Sequence, residues 1–144
     1  MIEQDTIKLL RECDAGIKMG VKSIDDVEKY VKSGNMKKLL SDCKSEHKKL
    51  ENEIEVLLAA YGDDGKKPSP IATGMSWMKT NMKMNMHRSD KTVADLMTDG
   101  CNMGVKSLSG YLNQYKAASE KSKDIAKRLI AIEADLGENM RPYL

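Results

Sequence analysis

An eight-residue stretch near the start of the chain returns 84 positions later. Gly16, Met19, Gly20, Val21, Lys22 and Ser23 recur in register as Gly100, Met103, Gly104, Val105, Lys106 and Ser107. Each copy carries Gly-x-x-x-Gly, and helical spacing puts the two glycines on one face and leaves it nearly bare. A mid-helix glycine costs about 1 kcal/mol relative to alanine, so the same four-residue glycine spacing in both copies points to close approach by another element. The repeat predicts two helical hairpins of common design, crossing where Gly16, Gly20, Gly100 and Gly104 meet.

The apolar pattern agrees with that plan. From Asp5 or Thr6, Ile7, Leu10, Cys13, Ile17, Val21, Ile24 and Val31 alternate by threes and fours, the signature of an amphipathic helix. Gly34 suits a left-handed helix end and Asn35 the next N-cap, which makes a short antiparallel joint. A second stripe runs through Met36, Leu40, Cys43, His47, Leu50, Ile54, Leu57 and Tyr61, and Gly62 stops it. Ser69 and Pro70 open a shorter helix, with Ile71, Met75, Met78 and Met82 on one face, reaching about Met86. After a break at Arg88, Ser89 and Asp90, a third long stripe holds Val93, Met97, Cys101, Val105, Leu108, Leu112 and Tyr115. Ser119 caps the last helix, striped by Ile125, Leu129, Ile132, Leu136 and Met140, and Pro142 ends it. The expectation is one all-α domain over 1–144: hairpin 5–61, crossover 62–89 and hairpin 90–142. A connection that long can climb a whole bundle, which is the ferritin-like topology of four helices with one long crossover, here containing a short fifth helix.

Composition narrows the function classes. Lys+Arg 24 against Asp+Glu 22 leaves a net charge of +2 with the signs interspersed, so no basic stripe awaits nucleic acid. No apolar run reaches the roughly 20 residues of a membrane span, and the opening residues lack the basic and apolar regions of a signal peptide. Three cysteines, odd in number and widely spaced, suit reduced thiols and a cytoplasmic location rather than disulfides or zinc.

Certain stretches also have a familiar look. Tyr61 to Pro68 (Tyr-Gly-Asp-Asp-Gly-Lys-Lys-Pro), Gly74 to Lys79 (Gly-Met-Ser-Trp-Met-Lys), Arg88-Ser89-Asp90, Asp14-Ala15-Gly16-Ile17 and His47 together resemble a bacterial ferritin-like family of unknown function. The resemblance spans nearly the whole chain and implies a four-helix bundle with a linker helix, and little about activity. The chain departs from it at Asp99-Gly100-Cys101, where a more acidic stretch is expected.

A ferritin-like fold raises the question of a di-iron centre, which takes a Glu from each of two helices and Glu-x-x-His from each of the others. His47 has Lys44 three positions earlier, and Glu133 has Ile130, so neither hairpin carries the motif. Counting outward from the joints puts His47 level with Val21 and Glu133 level with Met103. Gly20 and Gly104 then occupy the height at which ligand carboxylates would stand. Asp14 lies about seven residues away along its helix, roughly 10 Å at 1.5 Å per residue. His47, Glu133 and Asp14 are thus metal candidates, and the competing reading is a buried imidazole hydrogen-bonded across the core to Glu133. Met82, Met84, Met86 and His87 offer soft Cu(I) donors, although residues two apart on a helix point away from each other and a packing face is the alternative. No nucleophile-and-base arrangement or phosphate loop is present. The sequence therefore predicts a structural or protein-interaction bundle, a homodimer being a natural form, with no catalytic residue and no assigned cofactor. The alternative is a relative that handles iron or copper at an altered site around His47 and Glu133.

Overall fold

The computed structural model describes residues 2–66 and 88–144. They form four α-helices: α1 (Ile2–Glu28), α2 (Gly34–Ala60), α3 (Asp90–Gln114) and α4 (Glu120–Met140). A 3-10 turn, Arg141–Tyr143, follows α4 around Pro142. There is no strand among the described residues, and no helix among them is long and apolar enough to cross a membrane. The short helix expected around Ile71, Met75, Met78 and Met82 lies outside the described residues.

Serine caps set three of the four starts. Ser33, Ser89 and Ser119 each accept a hydrogen bond on the side chain from the amide three residues on, Met36, Thr92 and Ser122, all at 3.2 Å. The expectation for Gly34 and Asn35 is corrected here. Gly34 begins α2 and has no positive φ, and Ser33 is the cap. The first helix also stops at Glu28, short of Val31. Tyr30 and Val31 bond back only three residues, to Val27 and Glu28, which tightens and ends the helix. The next two amides, Lys32 and Ser33, donate instead to the Asp90 carboxylate at 2.7 and 3.0 Å. At the other end of α2, Gly62 takes φ +70 and its amide and that of Asp63 close on Ala59 and Leu58.

The joints fix how the helices run. The α1–α2 joint is held by Asp90 at the start of α3, and Ser33 Oγ lies 3.5 Å from Tyr143 Oη after α4. The α3–α4 joint is held by the start of α1: Ala117 N donates to Asp5 at 3.0 Å and Ser119 N to Thr6 Oγ1 at 2.8 Å. Asp5 and Thr6 therefore lie inside α1, which begins earlier than its stripe suggests, and serve the opposite end of the chain. It follows that α1 and α3 are antiparallel, and that α2 ends and α3 begins at opposite ends of the bundle. Each 27-residue helix is about 40 Å long at 1.5 Å per residue.

The apolar faces meet in two cores. At the α1–α2 joint are Ile24, Val27, Val31, Met36, Leu40, Cys43, Val93, Ala94, Met97, Cys101, Leu136 and Met140. Toward the other end are Leu9, Leu10, Cys13, Ile17, Leu50, Ile54, Leu58, Leu108, Ala118, Ile125, Ala126 and Leu129. Most expected seam residues are buried, but Leu58 rather than Leu57 completes α2, and Tyr61 is 41% exposed beyond the helix end. Removing the joint clasp with Asp90→Ala should lower stability in urea unfolding by about 1–2 kcal/mol, the usual cost of lost hydrogen bonds to a charged acceptor. Asp90→Asn should recover part of it.

Candidate functional site: a polar layer at mid-height

Between the two cores the stripes of α2 and α4 turn polar. His47 follows Cys43 by four residues and precedes Leu50 by three, so helical periodicity alone drives it inward, and Glu133 sits likewise between Leu129 and Leu136. His47 is 1% exposed and Glu133 9%. His47 Nε2 lies 2.9 Å from Glu133 Oε1, and His47 Nδ1 lies 2.8 Å from the Cys43 carbonyl oxygen. Both ring nitrogens face oxygen atoms, an arrangement that suits the doubly protonated imidazolium. Burial works against that charge, but the side chains of Cys43 and Glu133, through hydrogen bonding and charge, outweigh it and lift the His47 pKa to about 10.

The glycine repeat borders this pair. A Cβ on Gly20 would stand 2.9 Å from His47 Nε2 and 3.5 Å from Glu133 Oε1, and a Cβ on Gly104 would stand 3.4 Å from Glu133. Glycine is thus required at Gly20 because the imidazole is already held at both nitrogens and has nowhere to move. At Gly16 and Gly100 an added Cβ meets nothing within 4 Å among the described residues. The crossing face expected of all four glycines is therefore narrower. Gly20 and Gly104 make room for side chains from α2 and α4, and Gly16 and Gly100 meet no helix among those described.

Cys43, His47 and Glu133 are the residue types of a thiol nucleophile with its base and orienting acid, and Cys43 Sγ lies 3.5 Å from Nδ1. Nδ1 lies nearer the Cys43 carbonyl oxygen, at 2.8 Å, than the thiol, so the two side chains lack the alignment of a nucleophile with its base. Cys101 sits beside the layer, and burial together with the Glu133 charge pushes its thiol well above the ordinary range. Burial, with Glu12 and Asp14 nearby, pushes Cys13 up to about 12. Such thiols are protonated and unreactive where they stand.

The residues present do not fit a di-iron centre. The layer offers one imidazole and one carboxylate, already bonded to each other, with glycines on α1 and α3. Among the described residues no three His, Cys, Asp or Glu side chains are grouped to hold a metal ion. Asp14 does not join the layer. Its Oδ2 accepts from Lys18 Nζ at 2.6 Å and from the Lys66 amide at 3.0 Å, and Gly65, at φ +90, packs directly on the carboxylate. With Arg11 bonded to Asp63 at 3.0 Å and Lys66 paired with Glu12, Asp14 anchors the loop after α2 onto α1. Asp14 Oδ1 and Thr98 Oγ1, at equivalent positions of the repeat, are buried without a hydrogen-bond partner among the described residues. The methionine and histidine donors from Met82 to His87 lie outside the described residues. The acceptor role of the Cys43 carbonyl escaped the sequence reading, although an inward His four residues after another inward residue was its signal.

Two measurements test this layer. Gly20→Ala should destabilise in spite of alanine's better helix propensity, whereas Gly100→Ala should stabilise by up to about 1 kcal/mol in the same thermal melts. For pH, the folded pKa of His47 stands above the unfolded value of about 6.5. Its contribution is fully present below pH 6.5 and is lost as pH rises through about 10. The melting temperature of the wild type relative to His47→Leu/Glu133→Leu should fall across that window, and a constant difference would refute the ionised pair. No family model, curated protein or solved structure matches this chain.

Proposed function

We propose that this chain is a ferritin-like bundle in which a hydrogen-bonded His–Glu pair occupies the layer a metal centre would use, and that it serves a structural or protein-interaction role. The ferritin-like reading is supported by the joints: α2 ends and α3 begins at opposite ends, as a single long crossover requires. The observation that carries the functional reading is the mutual engagement of His47 and Glu133, with Gly20 and Gly104 standing where further ligands belong. Val56 and Met103, 72% and 70% exposed on α2 and α3, are apolar side chains available to a partner, and a second copy of the chain is the first partner to test.

A metal-handling reading has one specific observation behind it. Nδ1 donating to a backbone carbonyl is how metal-binding histidines are commonly oriented, which presents Nε2 as the ligand. Metal analysis of the purified protein, run together with its mass in solution, separates the two. A dimer mass with iron and copper well below one per chain is the expected result. Stoichiometric metal lost on His47→Leu would reverse the assignment.

A further inference from the structure

The polar layer divides the bundle into two cores that share no buried residue among those described. Partly buried Ile132 packs against both. At this height α1 and α3 contribute Gly20 and Gly104, which place no side chain in either core. The layer's link between α2 and α4 is the hydrogen bond of His47 to Glu133. The fully buried apolar seam is thus thinned at this level, with partly buried Val21 and Ile132 beside the layer, and mid-helix glycine lowers the resistance of α1 and α3 to local opening there.

The cores also differ in what fills them. Toward the α3–α4 joint the largest fully buried side chains are leucine and isoleucine, Leu9, Leu10, Ile17, Ile54, Ile125 and Leu129 among them, and no methionine is present in that core. Toward the α1–α2 joint Met36, Met97 and Met140, with Cys43 and Cys101, pack among Ile24, Val27, Leu40 and Val93, and methionine is the more adaptable group. Units of independent opening follow contiguous packing, and a break in packing is where one ends. We propose that the bundle opens in two units with the His47–Glu133 layer as their boundary. The half at the α1–α2 joint opens more readily and carries Cys43 and Cys101 into solvent while Cys13 stays covered.

The three cysteines report on this directly. All are buried, two in the first core and one in the second. Native protein is treated with excess iodoacetamide, modification is read for each cysteine by mass spectrometry, and each rate is divided by that of the same cysteine in the unfolded chain. Cys43 and Cys101 should share one protection factor, lower than that of Cys13 by about tenfold or more, a difference of about 1.4 kcal/mol in opening. Glu133→Gln should speed Cys43 and Cys101 about tenfold further, with Cys13 changed less than about twofold. Equal protection at all three cysteines, or equal acceleration of all three by Glu133→Gln, would overturn the proposal. If that variant does not fold, the wild type in graded urea below its transition decides. Cys43 and Cys101 must lose protection before Cys13, and a single shared profile refutes two units.

Discussion

Everything at the centre of this bundle depends on one buried hydrogen bond between an imidazolium and a carboxylate. Two charges removed from water lose several kcal/mol of solvation each, and their attraction offsets that only when the remaining polar atoms also find partners. His47 meets the condition through the carbonyl of Cys43, one helical turn earlier on its own helix. The arrangement needs volume as well as partners. An imidazole and a carboxylate meeting at the midline of four helices crowd the two helices that do not carry them. Gly20 and Gly104 are the local response, and a methyl group at Gly20 would already be in collision.

The ends of the bundle are organised by the same economy of positions. Thr6 receives the amide of Ser119, and Asp90 receives the amide of Ser33. Thr6 and Asp90 are separated by the spacing that separates Gly20 from Gly104, and Ser33 and Ser119 by the spacing that separates His47 from Glu133. Each hairpin therefore uses the first turn of its first helix to hold the joint of the other. The exchange ties the start of α1 to the joint before α4, and the start of α3 to the joint before α2. Register between the hairpins is consequently fixed at three heights, by two backbone clasps and one buried pair.

Much of this was legible in the residue pattern. Three-four periodicity fixes which side of a helix is apolar, so the seams, the inward direction of His47 and Glu133, and their shared height with Gly20 and Gly104 could be worked out by counting. Serine N-caps at Ser89 and Ser119 announce themselves through local chemistry. Contacts made between distant segments could not be read this way. Nothing near Ser33 in sequence shows that Asp90 will take its amide, and local residue preferences point to Gly34 and Asn35 instead. Gly16 looked equivalent to Gly20 because the motif is symmetrical, yet the one faces no described residue within reach of a Cβ and the other faces a pinned imidazole. Asp14 was inward by periodicity, but its partners come from the loop beyond α2.

The members of the layer also constrain one another. Any side chain on α1 at Gly20 would crowd the His47 ring, since its Cβ would stand 2.9 Å from Nε2. Relieving that contact would draw the imidazole away from Glu133. Leaving Glu133 exposes two buried charges, which is the state the surrounding core is least able to tolerate. The pair and its glycines thus hold each other in place: the glycines permit the pair, and the pair leaves little room for a larger residue at Gly20.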